Sequence, residues 1–135
     1  MSNLARAKCN VLVLDDDELN LMILENATGK AGYDAKPFLC SEEAWSYLKE
    51  NPNSIDIAVI DKMMPKIDGI EFLKRMKGNE SLKHIPVILQ TGDVGKKQME
   101  EGMKNGAYYY LAKPFTPDML IVLLQSAGNS LALGA

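Results

Sequence analysis

The segment around which the fold is organised is residues 55–65, with the sequence IDIAVIDKMMP. Its central run from Ile57 to Ile60 carries no charge and is rich in β-branched side chains, which is typical of a strand covered on both faces. Pro65 prevents the strand from continuing, because proline cannot donate a ladder hydrogen bond. The strand therefore ends at Asp61, and in an open α/β sheet the carboxyl ends of the strands form the edge where ligands bind.

The length and composition indicate one ordinary globular domain. A chain of 135 residues can bury a core without disulfides, and its 47% hydrophobic and 24% charged residues are average fractions. A net charge of −3 provides no basic surface for nucleic acid or an anionic membrane. No apolar run approaches the ~18 residues of a membrane span, and Val11–Leu14 is too short for a signal peptide. The sequence therefore predicts a cytoplasmic protein without nucleic-acid or membrane partners.

The two cysteines are not expected to form a disulfide. Cys9 precedes the first predicted strand and Cys40 follows the second. If these strands are parallel neighbours, five residues at ~3.3 Å each separate the thiols by about 16 Å. That distance is too long for a disulfide, so two unpaired thiols are predicted.

Strands and helices alternate along the chain. Besides the central strand, apolar runs predict strands at Val11–Leu14, Tyr33–Leu39, Pro86–Gln90 and Tyr108–Ala112. Each strand is followed by a helical pattern, and helix-crossed strands run parallel with right-handed crossovers. The prediction is an α/β fold with a doubly wound, five-stranded parallel sheet of order 2-1-3-4-5 flanked by five helices, in which Pro37 places strand 2 at an edge. Residues 10–126 would form this domain, with a lead-in at 1–9 and a tail or the start of a linker at 127–135.

Local signals predict how the helices begin and which faces they bury. The residues expected to cap helices 1, 2, 3 and 5 are Asp17, Ser41, Asp68 and Thr116, respectively. Helical spacing predicts that helix 1 buries Leu19, Met22, Ile23 and Ala27, and that helix 4 is anchored by Met99 and Met103. Gly102 makes helix 4 a poor helix.

Polar residues close four of the five strands. They are Asp15 and Asp16 after strand 1, Asp61 in strand 3, Thr91 after strand 4 and Lys113 after strand 5. Strands 1 and 3 would be neighbours about 4.8 Å apart, which places three carboxylates together. Two unit charges 4 Å apart repel by about 4 kcal/mol at an effective dielectric of 20, so the group needs a cation. Oxygen ligands with room for water favour Mg²⁺.

Lys113 and Thr91 complete the chemistry expected at this edge. Lys113 ends a strand two places from Asp61, about 10 Å away, which a lysine side chain can largely span. The Thr91 hydroxyl, one strand away, could hydrogen-bond an oxygen on Asp61. A carboxylate nucleophile, a metal, a lysine and a hydroxyl are the groups that phosphoryl transfer requires, because this chemistry depends on positioning and charge neutralisation.

These residues together resemble the receiver domain of response regulators, which has the flavodoxin-like, CheY-like fold. The match consists of the acidic pair Asp15-Asp16, the D-x-x-M-P-x-x-D-G motif of residues 61–69, Thr91-Gly92 and Lys113-Pro114-Phe115. The resemblance implies that a histidine kinase or phosphotransfer protein transfers a phosphoryl group to Asp61. It further implies Mg²⁺, with Mn²⁺ as a substitute, held by Asp16, Asp61 and the Met63 carbonyl, with Asp15 acting through water. It also implies a cis peptide before Pro114.

The resemblance implies a switch rather than an enzyme. The protein would catalyse only its own phosphorylation and dephosphorylation, and Thr91 and Tyr110 would move on phosphorylation. The face formed by helix 4, strand 5 and helix 5 would signal and form a homodimer. Dephosphorylation is expected to be slow, because Met63 cannot orient a water and Asp93 offers a single helper. Two departures from the family pattern, Lys62 and Gly102, remove no site residue.

Three other functions are compatible with parts of the sequence. Asp15 and Asp17 form the D-x-D of haloacid dehalogenase phosphatases, but Leu19 stands where that family has Thr or Val and there is no cap domain. The second alternative is a nucleotide or flavin binder on the same fold. Residues 92–97 resemble a P-loop faintly, but Gln90 stands where a glycine is needed and Lys97 where Ser or Thr is needed. The third alternative is a degenerate receiver that acts as a phosphorylation-independent interaction module.

Overall fold

The computed structural model describes residues 9–92 and 95–134, with side chains described through residue 131. The strands are β1 Asn10–Leu14, β2 Asp34–Phe38, β3 Ile57–Asp61, β4 Val87–Thr91 and β5 Tyr109–Ala112. The helices are α1 Glu18–Lys30, α2 Ser41–Glu50, α3 Gly69–Lys77, α4 Lys96–Lys104 and α5 Pro117–Gly134.

The five strands form one parallel sheet in the order β2-β1-β3-β4-β5, which confirms the predicted fold. The order places β2, with Pro37, at an edge of the sheet, as predicted. The register pairs Leu14 with Ile60 and Asp61 with Gln90, so the carboxyl ends of the central strands lie side by side. This common edge holds the predicted site.

The sheet separates two hydrophobic clusters because successive strand side chains point to opposite faces. On one face, Leu12, Ile60 and Leu89 belong to the cluster packed by α2 and α3. On the other face, Val13 and Val59 belong to the cluster packed by α1 and α5. The result is a three-layer sandwich whose central strands β3 and β4 are fully buried.

Most of the predicted helix caps are confirmed. The side chains of Asp17, Asp68 and Thr116 each accept backbone N–H groups at the starts of α1, α3 and α5. The prediction for α2 is wrong, because the N-cap is Cys40, which makes no side-chain capping bond. Ser41 is instead buried, and its hydroxyl donates to the carbonyl of Ile67 at 2.8 Å. The hydroxyl therefore ties α2 to the β3–α3 loop.

The predicted inward face of α1 is largely wrong. Leu19, Met22 and Ile23 are exposed by 68%, 58% and 40%, respectively, whereas Leu21 and Leu24 are buried along with Ala27, which was predicted correctly. Residues 19–24 read LNLMIL, so apolar side chains occupy several faces of the helix, and spacing alone selected the wrong one.

The predicted anchors of α4 are also wrong. Met99 and Met103 are exposed by 36% and 47%, and the buried residue of α4 is Gly102. A Cβ at Gly102 would lie 2.7 Å from Cδ1 of Tyr110. The helix therefore approaches the sheet through the position that lacks a side chain, since the aromatic ring of Tyr110 already fills that space.

The last helix extends past the expected domain boundary, from Pro117 to Gly134. Residues 127–134 thus continue α5, and the idea that they begin a linker stays a prediction. Cys9 and Cys40, both in the described part of the chain, are not joined by a disulfide. Among the described residues, none of the helices has the length and apolarity needed to traverse a bilayer.

Candidate functional site

Three carboxylates meet at the carboxyl edge of β1 and β3. Asp15 directly follows β1 and is fully buried, Asp61 ends β3 and is 4% exposed, and Asp16 is exposed. One oxygen atom from each lies within 4.8 Å of the others. The structure thus brings together the three acids that the sequence predicted to meet.

Lys113 lies against two of these acids. Its Nζ is 3.3 Å from Oδ1 of Asp61 and 3.7 Å from Oδ2 of Asp15. The backbone N–H of Lys113 donates to the carbonyl of Thr91 at 2.7 Å, which continues the β4–β5 pairing past the end of β5. The next peptide bond, Lys113-Pro114, is cis, as the family resemblance implied.

The environment of Asp61 disfavours its charged form. Burial is the largest cause that raises the pKa of Asp61, and the negative charge of Asp15 raises it further. Lys113 and the backbone N–H of Met63, which donates to Oδ1 at 3.3 Å, lower the pKa without cancelling the rise. An additional cation beside Asp61 would favour the charged form of its carboxyl, which burial and the charge of Asp15 disfavour.

A network that sequence reasoning missed surrounds Asp15. Nε2 of Gln90 donates to Oδ2 of Asp15 at 2.8 Å, and Nδ2 of Asn20 hydrogen-bonds the same oxygen. The same Asn20 amide also donates to Oε1 of Gln90 at 3.2 Å, and the N–H of Asp17 donates to Oδ1 of Asp15 at 2.9 Å. One feature of the sequence could have indicated this network. Gln90 lies in a predicted buried strand, and a buried amide requires hydrogen-bond partners.

Gly69 lets α3 begin against the end of β3. A Cβ at this position would lie 2.6 Å from Cα of Lys62 and 2.8 Å from the carbonyl oxygen of Asp61. The N–H of Gly69 donates to the carbonyl of Lys62 at 2.8 Å. Any larger residue would push the β3–α3 loop away from the carboxylate, which explains why the predicted motif ends in glycine.

The remaining predicted site residues lie around this centre. Thr91 is fully buried at the end of β4, and Tyr110 is 4% exposed in the cluster packed by α2 and α3. Met63 is 67% exposed, two residues after Asp61. Asp93, the single predicted helper in hydrolysis, lies outside the described residues.

The donor atoms fit a hard divalent cation. Asp15, Asp16 and Asp61 present carboxylate oxygens only, and hard cations such as Mg²⁺ prefer oxygen. Both oxygens of Asp15 already accept hydrogen bonds, whereas Asp16 is exposed and can share a cation with water. These carboxylates fit hard divalent cations as a class. That the cation is Mg²⁺ stays a prediction, as does the role of the Met63 carbonyl as a ligand.

The parallel sheet with an acidic edge and a neighbouring lysine defines a class of signalling domain. Residues 11–125 match the family model of the response regulator receiver domain, and the chain belongs to this family. It is therefore a CheY-like receiver domain of two-component signal transduction, a class of phosphoacceptors rather than conventional enzymes.

Curated relatives include both short and long proteins. Chemotaxis protein CheY1 of Helicobacter pylori is 32% identical over 111 residues, which are 82% of this chain and 89% of that protein. The 3',5'-cyclic-nucleotide phosphodiesterase regA of Dictyostelium discoideum is 34% identical over 115 residues, which are 84% of this chain but 14% of that protein. The chain thus spans most of the first relative and a small part of the second.

Solved structures show the same fold. A response regulator receiver domain protein from Clostridium thermocellum has a TM-score of 0.86 and 31% identity, with 94% of this chain and 99% of that chain covered. The chemotaxis protein CheY4 of Vibrio cholerae has a TM-score of 0.81 and 27% identity, with 89% and 98% covered.

Proposed function

We propose that Asp61 accepts a phosphoryl group from the phosphohistidine of a histidine kinase or phosphotransfer protein, in a reaction that depends on Mg²⁺. The observation that supports this most directly is the buried Asp61 carboxylate with Nζ of Lys113 at 3.3 Å and two further carboxylates beside it. Such donors belong to proteins in the cytoplasm, so the same location is proposed for this chain.

The chain's own groups suggest how the transfer proceeds. Lys113 and the N–H of Met63 both bind Oδ1 of Asp61, so we assign Oδ2 as the attacking atom. It forms the new oxygen–phosphorus bond as the nitrogen–phosphorus bond breaks, and the imidazole leaves with the electron pair. Lys113 can then bind the oxygens of the transferred group.

A divalent cation would supply charge neutralisation and orientation of the phosphoryl oxygens when bound. Asp16 and Asp61, with the Met63 carbonyl, would hold it directly, and Asp15 would act through water. Mn²⁺ has a similar preference for oxygen and is a reasonable substitute.

The phosphodonor must reach Asp61 past exposed apolar side chains. Leu19 in the first turn of α1 and Met63 in the β3–α3 loop are exposed by 68% and 67%. Both follow closely after a site carboxylate in the chain, so a protein that presents a histidine to Asp61 would cover them. Burial of these side chains would contribute to donor affinity.

The proposed output is a rearrangement of the face formed by α4, β5 and α5. Phosphorylation adds about −1.5 to −2 charges, which Lys113 and Thr91 can bind, and Tyr110 would then move toward the space that Thr91 leaves. This face already carries exposed apolar side chains at Met99, Met103, Tyr109, Met119 and Val122. We propose it as the signalling surface and as the contact of a homodimer.

The proposed lifetime of the phosphoryl group is long. Met63 is exposed beside Asp61 and has no group that can orient an attacking water. A Met63→Asn variant should therefore release phosphate faster than the wild type in a radiolabel assay. An unchanged rate would mean that Met63 does not limit access of water.

Phosphorylation can be tested by mass spectrometry after incubation with acetyl phosphate and Mg²⁺. The wild type should gain one phosphoryl group, and Asp61→Asn or EDTA should abolish the gain. Asp68→Asn is the matched control, because Asp68 is an exposed N-cap and asparagine caps helices equally well. Equal labelling of Asp61→Asn would overturn the assignment, and no labelling of the wild type would favour a phosphorylation-independent module.

A further inference from the structure

Gln90 is a buried polar side chain near the carboxyl edge of the sheet. It is fully buried, it is the second-last residue of β4, and it pairs with Asp61 of the neighbouring strand. A buried amide is costly unless it is hydrogen-bonded. Gln90 satisfies this requirement with two site residues, since Nε2 donates to Oδ2 of Asp15 at 2.8 Å and Oε1 accepts from Asn20 at 3.2 Å.

These bonds hold the Asp15 carboxylate from three directions. The N–H of Asp17 binds Oδ1 at 2.9 Å from the β1–α1 loop, Gln90 binds Oδ2 from β4, and Asn20 binds Oδ2 from α1. Asp15 is itself fully buried, which limits the access of bulk water to these hydrogen bonds. The carboxylate is therefore fixed in orientation before any cation arrives.

We propose that Gln90 is a positioning residue that makes this site selective for a small octahedral cation. The proposal rests on the proposed function, since it requires that Asp16 and Asp61 hold a divalent ion and that Asp15 holds one of the waters bound to that ion. Mg²⁺ demands near-ideal octahedral geometry at about 2.0–2.1 Å, whereas Ca²⁺ accepts irregular geometry at about 2.3–2.6 Å. A rigid Asp15 would fix the position of the water that it holds for the ion, which favours Mg²⁺, whereas a mobile Asp15 would let that water and the site adapt to Ca²⁺.

Gln90→Met separates this role from simple packing. Methionine has a similar length and fills irregular core space, but it does not donate to Asp15. Partners that orient ligand groups typically change metal affinity by about 10-fold to 100-fold when they are removed. The variant should bind Mg²⁺ about tenfold more weakly, with a smaller loss for Ca²⁺, so that the ratio of the two dissociation constants changes.

The experiment consists of two separate titrations of the whole chain, one with MgCl₂ and one with CaCl₂. Amide chemical shifts in NMR spectra report binding in each titration. The spectra also report whether each variant is folded. Thr28→Val is the matched control, because Thr28 is fully buried and its hydroxyl bonds the Leu24 carbonyl at 2.8 Å within α1. Its dissociation constants should equal those of the wild type. Asn20→Ala, at a half-buried position, should show the same change as Gln90→Met and covers the case in which Gln90→Met does not fold.

The outcomes separate this inference from the proposed function. A wild type that binds Mg²⁺, with an unchanged ratio of dissociation constants in both variants, would overturn the role of Gln90 and leave the proposed function intact. Tighter Mg²⁺ binding by the variants would also overturn it, because the amide would then compete with the cation. Absence of Mg²⁺ binding by the wild type would overturn both.

Discussion

Helices α3 and α4 have the same length but bury very different numbers of side chains against the sheet. Both contain nine residues, and α3 buries five of them: Gly69, Ile70, Phe72, Leu73 and Met76. All nine residues of α4 are described, and Gly102 alone is buried. A helix that buries large apolar side chains is anchored to the sheet, whereas one that contacts it through a glycine can shift at small cost.

The difference between the two helices matches the roles proposed for the residues beside them. The anchored helix α3 follows the loop that carries Met63 and begins at Gly69, which lies against the backbone of Asp61. The lightly held helix α4 lies over Tyr110, the proposed switch residue. Within this layer, α3 begins against Asp61, the proposed phosphoacceptor, and helps to keep it in place, whereas α4 is suited to shift when Asp61 is modified.

The largest expected effect is a loss of stability in a core variant of α3, which is compared with a surface variant of α4. Phe72→Ala should lower the free energy of unfolding by about 3–5 kcal/mol, because the ring is fully buried in α3 and packs against Trp45. Met103→Ala in α4 should change it by less than about 0.5 kcal/mol. Urea denaturation of both variants measures the difference. Similar losses would show that α4 is anchored as firmly as α3.

Hydrogen exchange should distinguish the two helices after activation. Beryllofluoride with Mg²⁺, used as a stand-in for the phosphoryl group, should change amide exchange in α4 and β5 by about tenfold, equivalent to about 1.4 kcal/mol of local stability. Amides of α3 should change much less. A response confined to α1 and α2 would contradict the proposed signalling face.

A double-mutant cycle tests the contact between Gly102 and Tyr110. Gly102→Ala alone should be destabilising or neutral, because the new Cβ would lie 2.7 Å from the ring. In a Tyr110→Ala background the same change should stabilise by up to about 1 kcal/mol, the difference in helix propensity between the two residues. Unfolding free energies of the four proteins give the coupling. Equal effects in both backgrounds would mean that the ring does not limit the approach of α4.

The smallest expected effect is a pH dependence of stability that comes from Asp61, against which the anchored helix α3 begins. The pKa of Asp61 is raised in the folded protein, so the folded state binds the proton more tightly than the unfolded state. Without divalent cations, stability should fall as pH rises from the ordinary carboxyl pKa to the raised value, and the loss persists at neutral pH. Asp61→Asn, which stays neutral, should therefore melt at a higher temperature than the wild type at pH 7.

This advantage of Asp61→Asn should shrink as the pH is lowered toward the ordinary carboxyl pKa, because the wild-type carboxyl then becomes neutral as well. Asp118→Asn, at an exposed position in the first turn of α5, is the control and should show no such gain. Melting temperatures in EDTA across this pH range provide the measurement. A less stable Asp61→Asn at pH 7 would mean that Lys113 outweighs burial.

Much of the fold and site could be predicted because the signals are local. A charge-free β-branched run predicts a buried strand, and alternation with helices requires a parallel sheet whose carboxyl ends share one edge. Asp15, Asp61 and Lys113 could therefore be placed together, as the structure shows. The capping role of Asp17 is local for the same reason, since its bonds go to residues two and three positions away.

The tertiary structure decided what depends on residues distant in the chain. The LNLMIL run of α1 is apolar on several faces, and only its packing against the sheet selected Leu21 and Leu24 for burial. The bond from Gln90 to Asp15 spans 75 positions, and no local pattern encodes it. From the sequence, Gly102 only lowers helix propensity, whereas the structure shows that the ring of Tyr110 occupies the space that a side chain there would need. The sequence by itself determined which polar groups lie at the carboxyl edge of the sheet. Packing determined which of them are buried and held by hydrogen bonds, because burial and long-range hydrogen bonds exist only once the layers have assembled.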